Sequence, residues 1–236
     1  MGTRTLSWNL VLRALFLDGD AYDRLRDDDN PFIEGLFLVI AIGFGTALLS
    51  LIGQVLAWAS IPDLNAIKQV VWDAYQRAPW WSEVTRDPAA LEGFRLGWEW
   101  SWRIISALSP SPLTGALRIV IWPLLSLLGW LIYGTLGHLF ARLLGGQGSL
   151  NQTLGTTALA FSPLLLRGLG IIPFLTLGGA VNTWQLICRY KAIRSAHRLP
   201  WTRAFWATLL PFVVYLLFWL VIGGLAVVLI AVVARR

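Results

Sequence analysis

The sequence predicts an all-α fold: a polytopic membrane helix bundle of about five transmembrane helices, with interfacial amphipathic helices beside it. Three observations predict this. Of the 236 residues, 56% are hydrophobic and 14% charged, where a soluble domain carries about a quarter charged residues. Three apolar runs, Gly35–Ala59, Ile119–Ala141 and Trp206–Val233, are uncharged and long enough to cross ~30 Å of hydrocarbon. Fourteen residues are Trp, which favours the membrane–water boundary. Such a composition argues against a water-soluble enzyme and against a disordered chain, which needs low hydrophobicity. The single Cys188 excludes an internal disulfide framework and a Cys-cluster metal site. A net charge of +6 and a pI near 10.1 would suggest nucleic acid in a soluble protein. In a membrane chain they reflect cytoplasmic Lys and Arg and affinity for anionic lipid, so no nucleic-acid partner is expected.

Residues 1–30 form an N-terminal cytoplasmic or interfacial segment, and 31–236 the transmembrane domain. Leu6–Leu17 predicts a short apolar helix on the cytoplasmic surface. The Asp-rich stretch behind it lacks the alternating ligands and terminal Glu of a calcium loop. It reads as a capped turn in which Asp20 starts a short helix and Asn30 caps the first span. Pro31 suits the first helical position, and Glu34 sits near the positive dipole end.

Residues 60–118 are a Trp-rich insertion outside the spans. Helices are expected at about 63–77 and, between Pro88 and Pro110, at about 89–108. In the second, Glu92, Arg95, Glu99, Arg103 and Ser106 form one narrow stripe. Leu91, Phe94, Trp98, Trp102, Ile105 and Leu108 form the facing stripe, widened by Trp100 and Ile104. That pattern fits a helix in the interface, with a sixth span as the alternative. Trp72, Trp80, Trp81, Trp98, Trp100 and Trp102 form either a platform for a partner or lipid, or an aromatic belt.

From Leu150 to Cys188 the apolar stretch is broken once, at Arg167, between Pro163 and Pro173. Two short helices are expected, at about 152–166 and 171–188; a re-entrant hairpin is the alternative, and either returns the chain to its starting side. The last span is kinked or started at Pro211.

The 189–203 loop carries Arg189, Lys191, Arg194, Arg198 and Arg203, plus His197. The N-terminal segment carries Arg4, Arg13, Arg24 and Arg26; Arg167, Arg235 and Arg236 belong to the opposite side. The positive-inside rule then predicts a cytoplasmic N-terminus and an outside C-terminus in the cell inner membrane. No cleaved signal peptide is expected.

The sequence contains no GxSxG, HExxH, P-loop or dinucleotide fingerprint, so no catalytic residues and no enzyme are predicted. His138, four residues before Arg142, is a candidate haem or pigment ligand; more simply, it bonds a neighbouring helix. No cofactor and no metal site are otherwise expected. Arg167 is the intramembrane charge, either capping a hairpin or lining a transport path. The turn Arg142–Gly148, RLLGGQG, lacks the Lys and Ser/Thr of a nucleotide loop and reads as a tight connection. Gly43/Ala47 and Gly137/Ala141 permit close helix packing.

Three stretches carry a likeness: LFLDGDAYDRLRDDDNPFIEGL, YGTLGHLFARLLGGQGSLNQTLGTTALAFSPLLL and RYKAIRSAHRLPWTRAF. Over about 1–59 and 119–225 the chain resembles the Yip family of small five-span membrane proteins, named for interaction with Ypt/Rab GTPases, in its prokaryotic form. The resemblance implies an integral membrane protein. It does not extend to GTPase binding, because the large N-terminal domain of the eukaryotic members is missing here. The expected function is a non-enzymatic scaffold or accessory subunit that binds other integral membrane proteins and lipid, with a respiratory or photosynthetic assembly as one setting. A small transporter or channel, and a haem or pigment subunit through His138, are the alternatives.

Overall fold

A computed structural model describes residues 7–60, 62–109, 112–172, 175 and 177–234. Arg4, Pro110, Pro173, Arg235 and Arg236, which served above as charges or boundaries, lie outside them. The described residues form ten α-helices and a 3-10 helix. The order is α1 (Trp8–Leu15), α2 (Gly19–Arg26), α3 (Pro31–Ser60), α4 (Leu64–Gln76), α5 (Trp81–Arg86), α6 (Pro88–Leu108), α7 (Pro112–Leu143), α8 (Leu150–Leu159), the 3-10 helix (Ser162–Ile171), α9 (Gly178–His197) and α10 (Trp201–Ala234). The fold is an all-α bundle.

Four described segments are long and apolar enough to cross a membrane: Pro31–Ser60, Gly115–Leu143, Leu150–Ile171 and Trp201–Val228. Neither α6 nor α9 is among them. The fifth expected crossing falls on α9, which carries Arg189, Lys191 and Arg194 within its 20 residues. The crossing segments differ in how the protein covers them. In Leu150–Ile171, 61% of the most apolar stretch is buried, and in Trp201–Val228 only 6%. The first is therefore the inner wall of the bundle, while α10 turns most of its surface outward.

Several boundaries move from their expected positions. Asp18, not Asp20, caps α2, accepting the Asp20 N–H at 3.1 Å. At the start of α3, Asn151 of α8 accepts the Phe32 N–H at 2.8 Å, so the first span takes an N-terminal acceptor from another helix. The helix expected at 152–166 is α only to Leu159 and then 3-10, with Pro163 in its first turn. The helix expected at 171–188 begins at Gly178 and runs to His197. Most of the basic loop is thus helical: buried Ala192, Ile193 and Ala196 keep one face on the bundle. Pro211 neither starts nor ends α10, which opens ten residues earlier at Trp201.

The N-terminal segment is more than a surface anchor. Leu10, Val11 and Ala14 of α1 and Ala21, Tyr22 and Leu25 of α2 belong to the main core, with Leu38, Val39 and Ile42 of α3, Trp130 of α7 and Leu159 of α8. Tyr22 donates to Ala14 O at 3.1 Å, and Trp184 of α9 donates its indole N–H to Leu15 O at 2.7 Å. The outer face of α1 shows Trp8, Leu12 and Phe16.

Three helices end in the same way, with a left-handed residue and a six-residue backbone closure. The closing bonds are Asp18 N–H to Arg13 O, Gly146 N–H to Ala141 O and Leu199 N–H to Arg194 O. The left-handed residues are Leu17, Gly145 and Arg198, with φ of 62°, 90° and 52°. Close helix crossings use glycines. Gly155 of α8 sits against the backbone of Pro31, where an added Cβ would meet Pro31 O at 2.6 Å; a Cβ on Gly43 would meet Pro123 Cα of α7 at 3.3 Å.

Candidate functional site

Three places collect the residues singled out by sequence. The first is at the end of the bundle that carries α2 and the last turn of α9. His138 of α7 is not a lone histidine. Its Nδ1 lies 3.1 Å from Thr153 Oγ1, and His197 Nε2 lies 2.8 Å from the same oxygen. The two rings are 5.1 Å apart. The Thr153 hydroxyl donates to Ser149 O at 2.8 Å. Its proton is thereby used, and its two lone pairs accept one N–H from each imidazole. Neutral His197 then carries its proton on Nε2 and leaves Nδ1 as an acceptor. That Nδ1 is buried without a partner among the described residues. Burial, and then the nearby His138 and Arg142, push the His197 pKa down to about 4.

The RLLGGQG turn closes over this pair. Arg142 donates to Gly146 O at 3.3 Å, and the Gln147 N–H donates to His197 O at 3.3 Å. A Cβ on Gly146 would fall 2.6 Å from His197 Nδ1. The turn is the lid of a three-helix polar joint, as its expected role as a tight connection requires. Sequence reasoning named His138, and placed His197 only in a basic loop. The missed signal was Gly146 and Gly148, two glycines that leave room for a ring.

The second place is the insertion. Trp72 of α4 packs on Trp81 of α5, both Trp72 and Tyr75 pack on Phe94 and Trp98 of α6, and Trp81 packs on Phe94. The ring centroids lie between 5.3 and 6.1 Å apart. Trp80 joins through Tyr75 at 5.7 Å and Trp81 at 6.0 Å, and Trp102 meets Trp98 edge-on at 5.3 Å. Lys68 bonds Glu99 at 2.8 Å across the same pair of helices. Five of the six tryptophans thus form one aromatic cluster. The sixth, Trp100, points away: it is 60% exposed and lies beneath Arg103 at 5.3 Å. Leu96, Trp100, Ile104 and Leu108, spaced four apart, form an exposed apolar stripe on the back of α6.

The third place is Arg167 on the 3-10 helix. Its Nη2 donates to Asn182 Oδ1 of α9 at 2.8 Å, and its guanidinium lies 5.4 Å from the Trp122 ring of α7. The Nε is buried without a partner among the described residues. His138 and Arg167 lie at opposite ends of the α8–α9 pair, because Thr153 faces His197 while Arg167 faces Asn182. This antiparallel pairing returns the chain to its starting side, as both sequence alternatives require. Among the described residues no group of three or more His, Cys, Asp or Glu is placed to hold a metal ion.

No curated protein and no solved structure matches the chain. The model of the Yip1 domain family does, over residues 12–223. That span opens in α1, includes the His–Thr–His joint and the Gly-rich turn, and closes inside α10. With nearly the whole chain matched and an all-α bundle of apolar helices beneath it, this membrane protein belongs to the Yip1 domain family.

Proposed function

We propose that the protein is a non-enzymatic integral membrane scaffold or accessory subunit. It binds other integral membrane proteins, and anionic lipid, through surfaces outside its core. The observation behind this reading is the exposed stripe Leu96, Trp100, Ile104 and Leu108 on α6. The other face of α6 is already filled by Trp72, Trp81 and Tyr75, so the insertion does not need the stripe for its own packing. An apolar strip rimmed by Arg95, Glu99 and Arg103 suits a helix of another membrane protein at the interface. The basic end of α9 suits the anionic cytoplasmic leaflet, which supports a reading with the N-terminus in the cytoplasm and the protein in the inner membrane. Neither a cofactor nor GTPase binding belongs to this reading, and a purified sample should absorb nothing beyond its aromatic band.

Purification in mild detergent, with identification of co-purifying chains, tests it. The intact protein should carry stoichiometric membrane partners. The variant Trp100→Ala/Ile104→Ser should lose them while keeping its melting temperature. A chain that purifies alone sinks the reading.

A further inference from the structure

A cavity of about 220 Å³ opens between α3, α7 and the 3-10 helix, lined by Thr46, Ala47, Ser50, Arg118, Trp122 and Arg167. Two arginines line it, and no Asp or Glu is among the lining residues. Arg118 has no hydrogen-bond or ion-pair partner among the described residues. Arg167 is fixed from two sides, by Asn182 and by the Trp122 ring, and its Nε is buried and unpartnered. Two like charges facing one small cavity repel unless an anion lies between them. A guanidinium held at Nη2 by Asn182 keeps its Nη1 available to an oxygen of a phosphate.

The depth of the cavity agrees. Helix α7 has 32 residues, about 48 Å of helix. If it is centred on ~30 Å of hydrocarbon, about 9 Å projects at each end. Arg118 is six residues into α7, about 9 Å from its start. That is the level at which hydrocarbon meets head groups. The site lies at the end of α7 opposite His138, away from the basic last turn of α9.

The geometry points to an anion site here, in which Arg118 and Arg167 grip the phosphate of a negatively charged phospholipid head group, with Ser50 and Trp122 beside it. Another basic cavity, lined by Arg26, Lys191, Arg194 and Arg198, is the weaker candidate: Asp23 lines it too and pairs with Arg26 at 2.6 Å. The Arg118–Arg167 site extends the anionic-lipid part of the function proposed above to the opposite end of the bundle, and it does not depend on the protein-partner part.

The test uses the full chain, delipidated in a neutral detergent, and follows its melting temperature. Phosphatidylglycerol, phosphatidylcholine and inorganic phosphate are titrated separately. Phosphatidylglycerol should raise the melting temperature saturably and phosphatidylcholine should do so far less. Arg118→Gln should weaken the response at least tenfold, and Arg118→Lys should retain part of it. A shift with inorganic phosphate that competes with the lipid assigns the site to a soluble anion; a shift with the lipid alone assigns it to a head group. Arg167→Gln also cuts the tie to Asn182, so Arg118 is the deciding position. Equal responses of the wild type and Arg118→Gln, or no response to either anion, would overturn the site. Partner co-purification with the α6 variant is scored separately, so the two failures are told apart.

Discussion

The Thr153 hydroxyl is the residue on which the polar joint turns. Thr153→Val keeps the shape but leaves two imidazole N–H groups without their acceptor. An unsatisfied buried donor costs about 1–3 kcal/mol, so the variant should lose about that much or more in a reversible denaturant titration. His197 adds a pH dependence whose sign is fixed by its lowered pKa. The unfolded imidazole takes a proton near pH 6.5, and the folded one near 4. Between these values the unfolded chain binds more protons, so stability falls as the pH drops through that window. His197→Gln keeps a donor toward Thr153 and removes its own titration; the melting temperature should fall less steeply than that of the wild type from about pH 6.5 to 4, with His138 left as the one imidazole of the joint. Asp18 and Asp27, held below the carboxylate range by hydrogen bonds from Arg13 and Arg26, weaken the protein only below this window. An unchanged slope in the variant would show that His197 is not the titrating group. Little of this was legible in the sequence, because His138, Thr153 and His197 come from three helices and their meeting is a fact of packing. Only the bland expectation, that His138 bonds a neighbouring helix, reached it.

At the scale of elements, the sequence was most legible where burial and charge change sharply. Helices α4 and α6 fall within a residue of the expected limits, since Asp63 and Asp87 cap them. It was least legible where a helix outlives its apolar stretch. In α9, Arg189, Lys191 and Arg194 read as a loop, although basic residues suit a helix C-terminus and the buried Ala192, Ile193 and Ala196 keep helical spacing. The crossing of α3 and α8 supplies a matched pair of tests. Gly155→Ala puts a methyl group 2.6 Å from Pro31 O, a backbone atom that cannot turn aside. Overpacking of this kind costs about 1–3 kcal/mol. Gly45→Ala on α3 meets nothing within 4 Å and gains helix propensity, up to about 1 kcal/mol. Unfolding by titrated denaturant should therefore separate the two variants in opposite directions. Equal destabilisation would mean that the close approach of α8 to Pro31 does not limit packing.

For the whole molecule, the charge rule and the packing meet in one contact. Arg26 of α2 donates to Ser195 O of α9 at 3.1 Å, and Ser195 donates to Asp23 at 2.7 Å. The two basic segments, far apart in sequence, are thereby bound to the same end of the bundle. Helix α3 has 30 residues, about 45 Å of helix, and carries the chain from that end past ~30 Å of hydrocarbon. The insertion that follows it must emerge on the other side. If the basic end is cytoplasmic, as proposed above, α4–α6 face outward, and so does the stripe through Trp100. Single cysteines decide this cleanly, because Cys188 is the only native thiol and is buried. In a Cys188→Ala background, Glu83→Cys should react with a membrane-impermeant thiol reagent in sealed, right-side-out vesicles. Asp29→Cys should react only after the membrane is opened. Reversed labelling would refute the orientation while leaving the fold intact. Labelling of both residues in sealed vesicles would refute α3 as a crossing helix, and with it the outward insertion on which the partner surface depends.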